Sequence, residues 1–430
     1  MSLDISNIRH ADLEKFVSIA AGHQRNRRTR ENYFDGKIPN SALGSDLPGE
    51  LEIFQAEFNF ARILTDALLD RLVVEKIRCD SKPAQLAADL IWRRSGLGEQ
   101  LHLGFQEALE HGLSVGVVGP DPAGKATITL HTSVGWHVEQ HPVTREVLWA
   151  FQSWVNPGQR DRNATLYTPG LNLDFKKKDG TWVSLGDPRP TGMTRTAVVP
   201  IINRAKLGDV SGTTELNVVK RFMEMAARLI TNLGVAAESL ALPMRLLFNV
   251  NGAEAPEGRE EMMNAYLSRI MVFSSDGSAT QLPGADLRNF LESMSAVCRW
   301  VAASAALPLD YLGISSDNPA SAEAITRGDA RLVKKVHRKA TMFGQAVVEL
   351  MQLALELDGF TEVIAEVVWR SPEIPNLAGT VDAISKLRAV GPDGKPTISR
   401  RGALEMLGYS PERIAREEDA VNDEFLGIAA

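Results

Sequence analysis

The chain has 430 residues, of which 44% are hydrophobic and 23% are charged, and its formal net charge is −7. This length allows two or three domain-sized units, each with a sizeable core. The negative charge argues against an outer surface that clamps nucleic acid broadly, although a nucleic acid could pass through without being gripped. Charged residues interrupt every apolar stretch before the ~20 residues that a membrane-spanning helix needs, so we expect no membrane contact.

The N-terminal residues and the two cysteines indicate in which cellular compartment the chain is made. Residues 1–10 have no basic run followed by an apolar core, so we expect no secretion signal. Cys79 and Cys298 are far apart and lack CxxC spacing. This pattern suits a reducing cytoplasm and predicts two buried thiols rather than a disulfide.

The first half of the chain combines helical and strand-like patterns. Apolar residues at helical spacing predict helices near residues 13–21 and over about 56–76. Turn dipeptides then separate segments of alternating polarity at 113–118, 126–131, 136–139, 147–154, 165–168, 171–175, 181–184 and 197–202. We therefore predict an α+β fold in which an antiparallel meander is joined to helices.

A regular apolar seam marks the centre of the chain. Intervals of three and four residues predict a helix over about 214–241. The seam comprises Leu216, Val219, Met223, Ala226, Ile230 and Leu233. A second stripe that includes Val218, Phe222, Met225 and Leu229 leaves only one narrow polar face. Such a helix needs neighbours on two sides, as in a helix bundle or a ring of subunits.

A segment with two strands and a short helix follows, and after it come a second helix and a long third helix. We predict strands at 244–250 and 270–273 with a short acidic helix at 256–267, then a helix from Leu287 to about Ala306. Residues 312–319 contain Gly, Ser, Asp, Asn and Pro, which disfavour regular structure, so we predict a loop there. A helix then runs from Ala320 to about Leu357 and would be ~57 Å long. Residues 379–430 read as a small helical tail with an acidic end.

Basic residues are concentrated in the first half of the long helix. They are Arg327, Arg331, Lys334, Lys335 and Arg338, which fall along one helical face. Three interpretations stay open: contact with DNA, pairing with acidic residues of a neighbouring subunit, or simple solvation.

No motif predicts catalysis. The chain has no Walker loop, GxGxxG, GxSxG, HExxH or CxxC pair, and its carboxylates form no recognisable acid/base pair. We therefore expect no enzyme, no catalytic residue, no metal and no cofactor. The alternative is a metal-dependent hydrolase built on His131, His137 and His141, although nothing in the sequence supplies partners that would orient these ligands.

Several motifs occur in a fixed order along the chain. The most specific is Leu307-Pro-Leu-Asp-Tyr-Leu-Gly313 followed by Pro319-Ala-Ser-Ala-Glu-Ala-Ile325. The others are Tyr33-Phe-Asp-Gly-Lys-Ile-Pro39, Asn59 with Asp70-Arg-Leu-Val-Val74, Glu110-His-Gly-Leu-Ser-Val-Gly-Val-Val118, Val199-Pro-Ile-Ile-Asn203 and Gly212-Thr-Thr-Glu-Leu216. In this order the motifs resemble the portal proteins of siphophage-type bacteriophages. Val115 departs from the pattern, because the family usually has an aromatic residue there.

The resemblance implies a ring of about twelve subunits at one capsid vertex of the virion, assembled in the host cytoplasm. Double-stranded DNA would pass through the ring during packaging and ejection. Implied partners are the chain itself, the terminase large subunit, a head-tail adaptor protein, and the major capsid and scaffolding proteins. An alternative is a phage adaptor or scaffold module that oligomerises without enclosing DNA.

The resemblance also implies a division into parts. Residues 1–212 would be the wing, 213–242 the first stem helix, 243–284 the clip, 285–308 the second stem helix, 309–320 the tunnel loop, 321–378 the long helix and wing return, and 379–430 a reduced crown. In the tunnel loop, the residues expected to face DNA are Ser315, Ser316, Asp317 and Asn318. The seam residues of the first stem helix would pack between subunits.

Overall fold

The computed structural model describes residues 9–24, 26–39, 59–241, 245–250, 270–278, 286–314, 322–373, 377–389, 396–409 and 411–425. The chain divides into two compact units. The first comprises residues 1–317 and 330–372, and the second comprises residues 318–329 and 373–430.

Five helices and one strand form the start of the first unit. They are α1 His10–Gln24, α2 Arg27–Phe34, α3 Phe60–Leu69, β1 Val74–Cys79, α4 Lys82–Ser95 and α5 Leu97–His111. Asn59 caps α3 by accepting from the backbone N–H of Arg62 at 2.9 Å, and Ser81 caps α4 in the same way. Gly96 and Gly112 end α4 and α5 with positive φ angles of 58° and 97°.

The helix predicted over about 56–76 is wrong at its C-terminal end. The helix ends at Leu69, and residues 74–79 form strand β1 instead. This strand pairs antiparallel with residues 365–369, far along the chain. Pairing with residues 365–369 therefore stabilises an extended conformation at the start of β1, where the local sequence pattern favours a helix.

The antiparallel meander predicted from the sequence is confirmed. Strands β2 Leu113–Pro120 and β3 Ala126–Thr132 form a hairpin. A larger sheet follows, whose strands lie side by side in chain order: β4 Trp136–Gln140, β5 Val147–Val155, β6 Arg162–Thr168, β7 Leu171–Lys178 and β8 Thr181–Ser184. The short strand β9 Arg189–Pro190 also pairs with β7. Strand β10 Val198–Ile202 returns to pair with β2. Helix α1 covers the larger sheet, where the rings of Phe16 and Trp149 lie 4.6 Å apart.

A pair of long helices follows the sheets. They are α6 Leu216–Ala241 and α7 Leu287–Ala305, which pack against each other. Between them in sequence, β11 Arg245–Leu247 and β12 Ile270–Val272 pair in parallel. The short helix predicted at 256–267 lies outside the described residues. Asp286 caps the N-terminus of α7, and Ala306, which follows the last helical residue, has a φ of 62°.

The longest helix carries the main hydrophobic core of the first unit. After a 3₁₀ turn at Leu309–Leu312, helix α8 spans Ala322–Leu357, and strand β13 Ala365–Trp369 then pairs with β1. Phe343 of α8 is fully buried and stacks on Phe105 of α5 with 5.1 Å between ring centroids. Buried apolar side chains of α3, α5, α6 and α7 belong to the same cluster. Helix α8 therefore shares one hydrophobic core with these four helices.

The described residues of the second unit include three shorter helices. They are α9 Leu377–Arg388, α10 Arg400–Met406 and α11 Pro411–Phe425. Ser399 caps α10 by accepting from the backbone N–H of Gly402 at 3.0 Å. Ile384, Ala403 and Ile414 contribute one buried side chain from each helix. No described helix in either unit is long and apolar enough to span a membrane.

His111, the last residue of α5, gives the fold a pH dependence. Burial lowers the pKa of its imidazole from 6.5 to about 4. Between these two pH values the unfolded chain binds a proton at His111 that the folded chain does not, so acidification across this window favours unfolding by up to about 3 kcal/mol.

We expect His111→Gln to lose less stability than the parent protein between pH 6.5 and pH 4, because it removes this proton uptake by the unfolded chain. Urea denaturation at several pH values across the window measures the difference. His102→Gln is the matched control, because His102 is exposed on the same helix. Parallel pH profiles for His111→Gln and the parent protein would contradict the prediction.

Candidate functional site: the junction of the helix pair and the long helix

Two of the predicted basic residues bind the end of helix α7. Arg331 donates from Nη2 to the carbonyl oxygen of Ala303 at 3.0 Å, and Lys335 donates from Nζ to that of Ala305 at 3.3 Å. Carbonyl groups in the last turn of a helix lack partners within the helix and carry partial negative charge. These two cations therefore hold the C-terminus of α7 against α8.

The other predicted basic residues have different surroundings. Lys334 and Arg338 are exposed on α8, and the side chain of Arg327 lies outside the described part of the chain. A contact with DNA or with another subunit stays a prediction for these three residues.

The carboxylate of Glu215 lies where α6 begins and meets α8. It is 6% exposed, with Oε2 at 2.8 Å from Lys335 Nζ and Oε1 at 2.5 Å from Lys339 Nζ. Burial alone would raise the pKa of this carboxyl group, but the two ammonium groups outweigh it and lower the pKa to about 2. The carboxylate is therefore ionised at neutral pH, and its charge is compensated as burial requires.

Asn203 joins the sheet to the same carboxylate. Its side-chain amide donates to the carbonyl oxygen of Thr213 at 2.6 Å and to Glu215 Oε1 at 3.1 Å, and its Oδ1 accepts from Lys339. Its backbone N–H donates to the carbonyl oxygen of Gly112 at 2.8 Å. We call Asn203, Glu215, Lys335 and Lys339 the junction, because they connect β10, α6 and α8.

Two glycines allow the backbones beside the junction to approach closely. Gly112 and Gly212 have φ angles of 97° and 77°. A Cβ atom on Gly212 would lie 1.8 Å from the carbonyl oxygen of Gly112, so a larger residue would push the two segments apart. The end of α5 is thereby held against the segment that leads into α6.

The predicted subunit-packing residues of α6 fall into two groups. Leu216, Val219, Met223 and Ala226 are at most 3% exposed within the single chain, because α3 and α7 pack against this helix. Their burial therefore needs no second subunit. Ile230 and Leu233 are only half-buried and keep surface that a neighbouring subunit could cover.

The remaining site predictions are the tunnel loop and the histidines. Ser315, Ser316, Asp317 and Asn318 lie outside the described residues. The three histidines have separate partners: His131 pairs with Thr129 at 3.0 Å, His137 with Glu139 at 3.3 Å, and His141 accepts from the backbone N–H of Thr144 at 3.1 Å. Within the described ranges no group of three or more His, Cys, Asp or Glu side chains could hold a metal ion. The hydrolase alternative therefore has no metal site there.

The sequence carries signals for the junction, but they do not show which residues are in contact. Asn203 and Glu215 belong to two of the motifs that resemble the portal family, and their positions in the sequence assign no role to either. On α8, Arg331, Lys335 and Lys339 are spaced by four residues, which places them on one face. Only the tertiary structure shows that Lys335 and Lys339 on this face have a buried carboxylate as their partner.

Comparisons with known proteins show the family. A family model described as "Phage portal protein, SPP1 Gp6-like" matches residues 28–408. The portal protein of Mycobacterium phage D29 is 31% identical over 435 residues, and that of Mycobacterium phage L5 is 31% identical over 425 residues. Each alignment covers 94% of this chain and 86% of the relative.

The class is thus that of structural head-to-tail connector proteins of bacteriophages. The chain belongs to the SPP1 Gp6-like phage portal protein family. Among solved structures, a chain of the "Neck of native GTA particle computed with C12 symmetry" has a TM-score of 0.46 at 13% sequence identity. That match covers 93% of this chain and 99% of the other.

We expect Glu215→Gln to destabilise the protein by about 3–5 kcal/mol, because it leaves two buried ammonium groups without an opposite charge. Urea denaturation at pH 7 measures this. The control is Glu75→Gln, which removes a half-exposed carboxylate at 3.7 Å from Arg370 and should cost less than about 1 kcal/mol. Equal effects of the two substitutions would show that the junction does not stabilise the fold.

The same variant has a predicted pH signature. Because the pKa of Glu215 is lowered from 4.5 to about 2, its stabilisation is fully present above pH 4.5 and is lost as the pH falls towards 2. Glu215→Gln should therefore show a smaller loss of stability across that window than the parent protein. An unchanged acid dependence would contradict the assignment of an ionised, paired carboxylate.

Proposed function

We propose that this chain forms a closed ring of about twelve subunits at one capsid vertex, and that double-stranded DNA passes through it during packaging and ejection. Family membership supports this proposal. The structural observation that supports the ring is the partly exposed apolar surface of α6. On this helix Met225 is 42% exposed, and Ile230 and Leu233 are half-buried. Partly exposed apolar side chains of this kind on a long helix are typical of a surface that another subunit covers.

In this proposal the parts of the chain have separate tasks. Residues 1–212 form the outer wing, which meets the major capsid and scaffolding proteins. Helices α6 and α7 form the stem, and residues 243–284 form the clip, which docks the terminase large subunit and the head-tail adaptor protein. Residues 309–320 form the tunnel loop, 321–378 the long helix and wing return, and 379–430 a reduced crown.

The junction suits a subunit that must resist load. A moving DNA duplex pushes on the inside of the ring, and the stem must keep its direction relative to the wing. The buried charges of Glu215, Lys335 and Lys339 hold α6 against α8, and Arg331 and Lys335 hold the end of α7. Both stem helices are thereby attached to the long helix at their wing ends.

The charge of the chain suits a channel that must not grip DNA. Phosphate contacts dominate the affinity of proteins for DNA, so a channel lined with many cations would hold the duplex in place. A net charge of −7 per subunit makes the assembly acidic, and the loop residues 315–318 are small and polar. We infer that DNA slides past this loop without being tightly bound.

Electron microscopy of the purified full-length protein tests the proposal. Rings with an open central channel are expected, with symmetry determined from the images rather than imposed. Closed or solid oligomers would instead favour an adaptor or scaffold module that encloses no DNA.

We expect Ile230→Asp to abolish ring formation, because it places a charge in a surface that the ring buries. Asn232→Asp is the matched control, since it adds the same charge at an exposed position on the same helix. Circular dichroism of both variants shows whether the subunit stays folded. Folded Ile230→Asp protein that still forms rings would count against the stem interface.

We expect Ser316→Trp to reduce DNA packaging while leaving rings intact, because a large side chain in the tunnel loop would obstruct the duplex. The amount of DNA per particle measures packaging. Ser184→Trp, at an exposed serine on β8, is the control for a tryptophan elsewhere on the subunit. Normal filling of Ser316→Trp particles would show that residue 316 does not face the DNA.

A further inference from the structure

An ordered loop between β10 and α6 presents aliphatic side chains to solvent. In this loop Leu207 is 85% exposed and Val210 is 65% exposed. Hydrogen bonds nevertheless fix the loop, because the carboxylate of Asp209 accepts from the backbone N–H of Gly212 at 2.9 Å and from the hydroxyl of Thr213 at 2.7 Å. A loop fixed in this way does not fold back over its aliphatic side chains, so they stay in contact with water in the single chain.

The turn between β4 and β5 adds a third aliphatic side chain to this surface. Val143, in the turn, is 81% exposed. Arg145 of the same turn donates from Nη2 to the carbonyl oxygen of Leu207 at 2.5 Å and so holds the turn beside the loop. We call Val143, Leu207 and Val210 the aliphatic tip. A cluster of exposed apolar side chains, unlike a single one, is typical of a surface that another protein covers.

Basic residues surround the aliphatic tip. Residues 141–146 and 204–212 contain Arg145, Arg204 and Lys206 but only two acidic residues, Glu146 and Asp209. Burial and the nearby charge of Arg145 lower the pKa of the Arg204 guanidinium, so the two arginines lie close enough to repel each other. A partner surface that is both apolar and acidic would therefore fit the aliphatic tip better than a neutral one.

A pocket with apolar walls lies beside the C-terminal end of α8. Its volume is about 420 Å³, and its lining includes Phe360 and Val363, which also pack against the main hydrophobic core. Gln352 of α8 donates to the carbonyl oxygen of Val363 at 3.0 Å and fixes this wall. The next residue, Ile364, is 73% exposed and extends the apolar surface beyond the pocket.

The same pocket is acidic. Glu356 and Glu362 belong to its lining, and Glu362 is exposed. Glu356 accepts from the backbone N–H of Thr194 at 2.7 Å, which fixes its carboxylate at the rim. Arg195 also lines the pocket, but it lies 3.5 Å from the carboxylate of Glu349, so its charge is partly compensated. The pocket thus has the apolar and acidic character that suits the aliphatic tip.

The aliphatic tip and the pocket lie at opposite ends of strand β10. Arg195 precedes this strand and Leu207 follows it, and the strand Val198–Ile202 alone spans ~17 Å at ~3.3 Å per residue. A surface and its complement at separate places on one chain join copies head to tail. Such a heterologous contact closes into a ring when its rotation allows.

We propose that the aliphatic tip of one subunit docks into this pocket of the next copy of the chain, with Leu207 against Phe360 and Lys206 beside Glu362. The proposal rests on the proposed function for the ring, and it names a second contact between subunits besides the surface of α6. Burial of the aliphatic side chains supplies affinity. The charge pair fixes the direction in which one copy faces the next.

Cross-linking of introduced cysteines in the full-length protein tests the contact. Leu207→Cys combined with Ile364→Cys should give a ladder of covalent oligomers with a short bis-maleimide, because each subunit then offers one thiol to each neighbour. Either substitution alone should give monomers, and the parent protein measures the background from Cys79 and Cys298. Leu207→Cys with Leu185→Cys is the matched control, since Leu185 is also exposed, at 51%, but follows β8.

A charge exchange tests the ion pair separately. In the protein with both introduced cysteines, Lys206→Glu and Glu362→Lys should each lower the yield of covalent oligomers about fivefold, because like charges then face each other. Both substitutions together should restore the yield. Lys178→Glu, at an exposed lysine on β7, is the matched control and should leave the yield unchanged. A yield that stays low in the combined variant would overturn the pairing of Lys206 with Glu362.

Electron microscopy of the same samples reports ring formation independently. Rings that give no ladder would overturn the docking contact and leave the proposed function standing. A ladder from open oligomers would support the contact and count against the proposed function. Covalent dimers from Leu207→Cys alone would show that two tips meet each other, and equal cross-linking of the Leu185 control would show random collision; either result would overturn the proposal.

Discussion

The burial of one carboxylate sets the arrangement of the first unit around it. Glu215 is 6% exposed and ionised, so the fold is stable only if opposite charges reach it. Lys335 and Lys339 meet this requirement from adjacent turns of α8, and Asn203 supplies a hydrogen bond from the end of β10. Three segments that are distant in sequence are therefore held at one point, and none can shift without exposing or unpairing a charge.

This constraint determines what the two long helices can do. Helix α6 starts at the junction, and the end of α7 is held by Arg331 and Lys335, so both helices are fixed at the same end. Their other ends lead into residues 242–285. The contacts at this end therefore fix the direction in which the helix pair leaves the long helix.

The sequence predicted the elements whose signals are local. The seam beginning at Leu216, the long helix ending at Leu357 and the meander over residues 136–184 each follow from periodicity within one segment. Strand β1 carries no local signal that the sequence could show, and the predicted helix over about 56–76 overlaps its first three residues, because its partner β13 lies far along the chain. The junction was missed for the same reason, since Asn203, Glu215 and Lys339 come from three different elements. Whether an apolar residue such as Val219 packs within or between subunits also depended on tertiary contacts.

The distribution of cations along α8 reconciles a basic helix with an acidic chain. Lys335 and Lys339 are directed at Glu215, so their charges are compensated within the chain. Arg331 stays exposed, although it donates to the carbonyl oxygen of Ala303. Lys334 and Arg338 are exposed on the same helix. A chain with a net charge of −7 can thus contain a strongly basic helical segment, because a buried carboxylate neutralises part of that basic charge inside the fold.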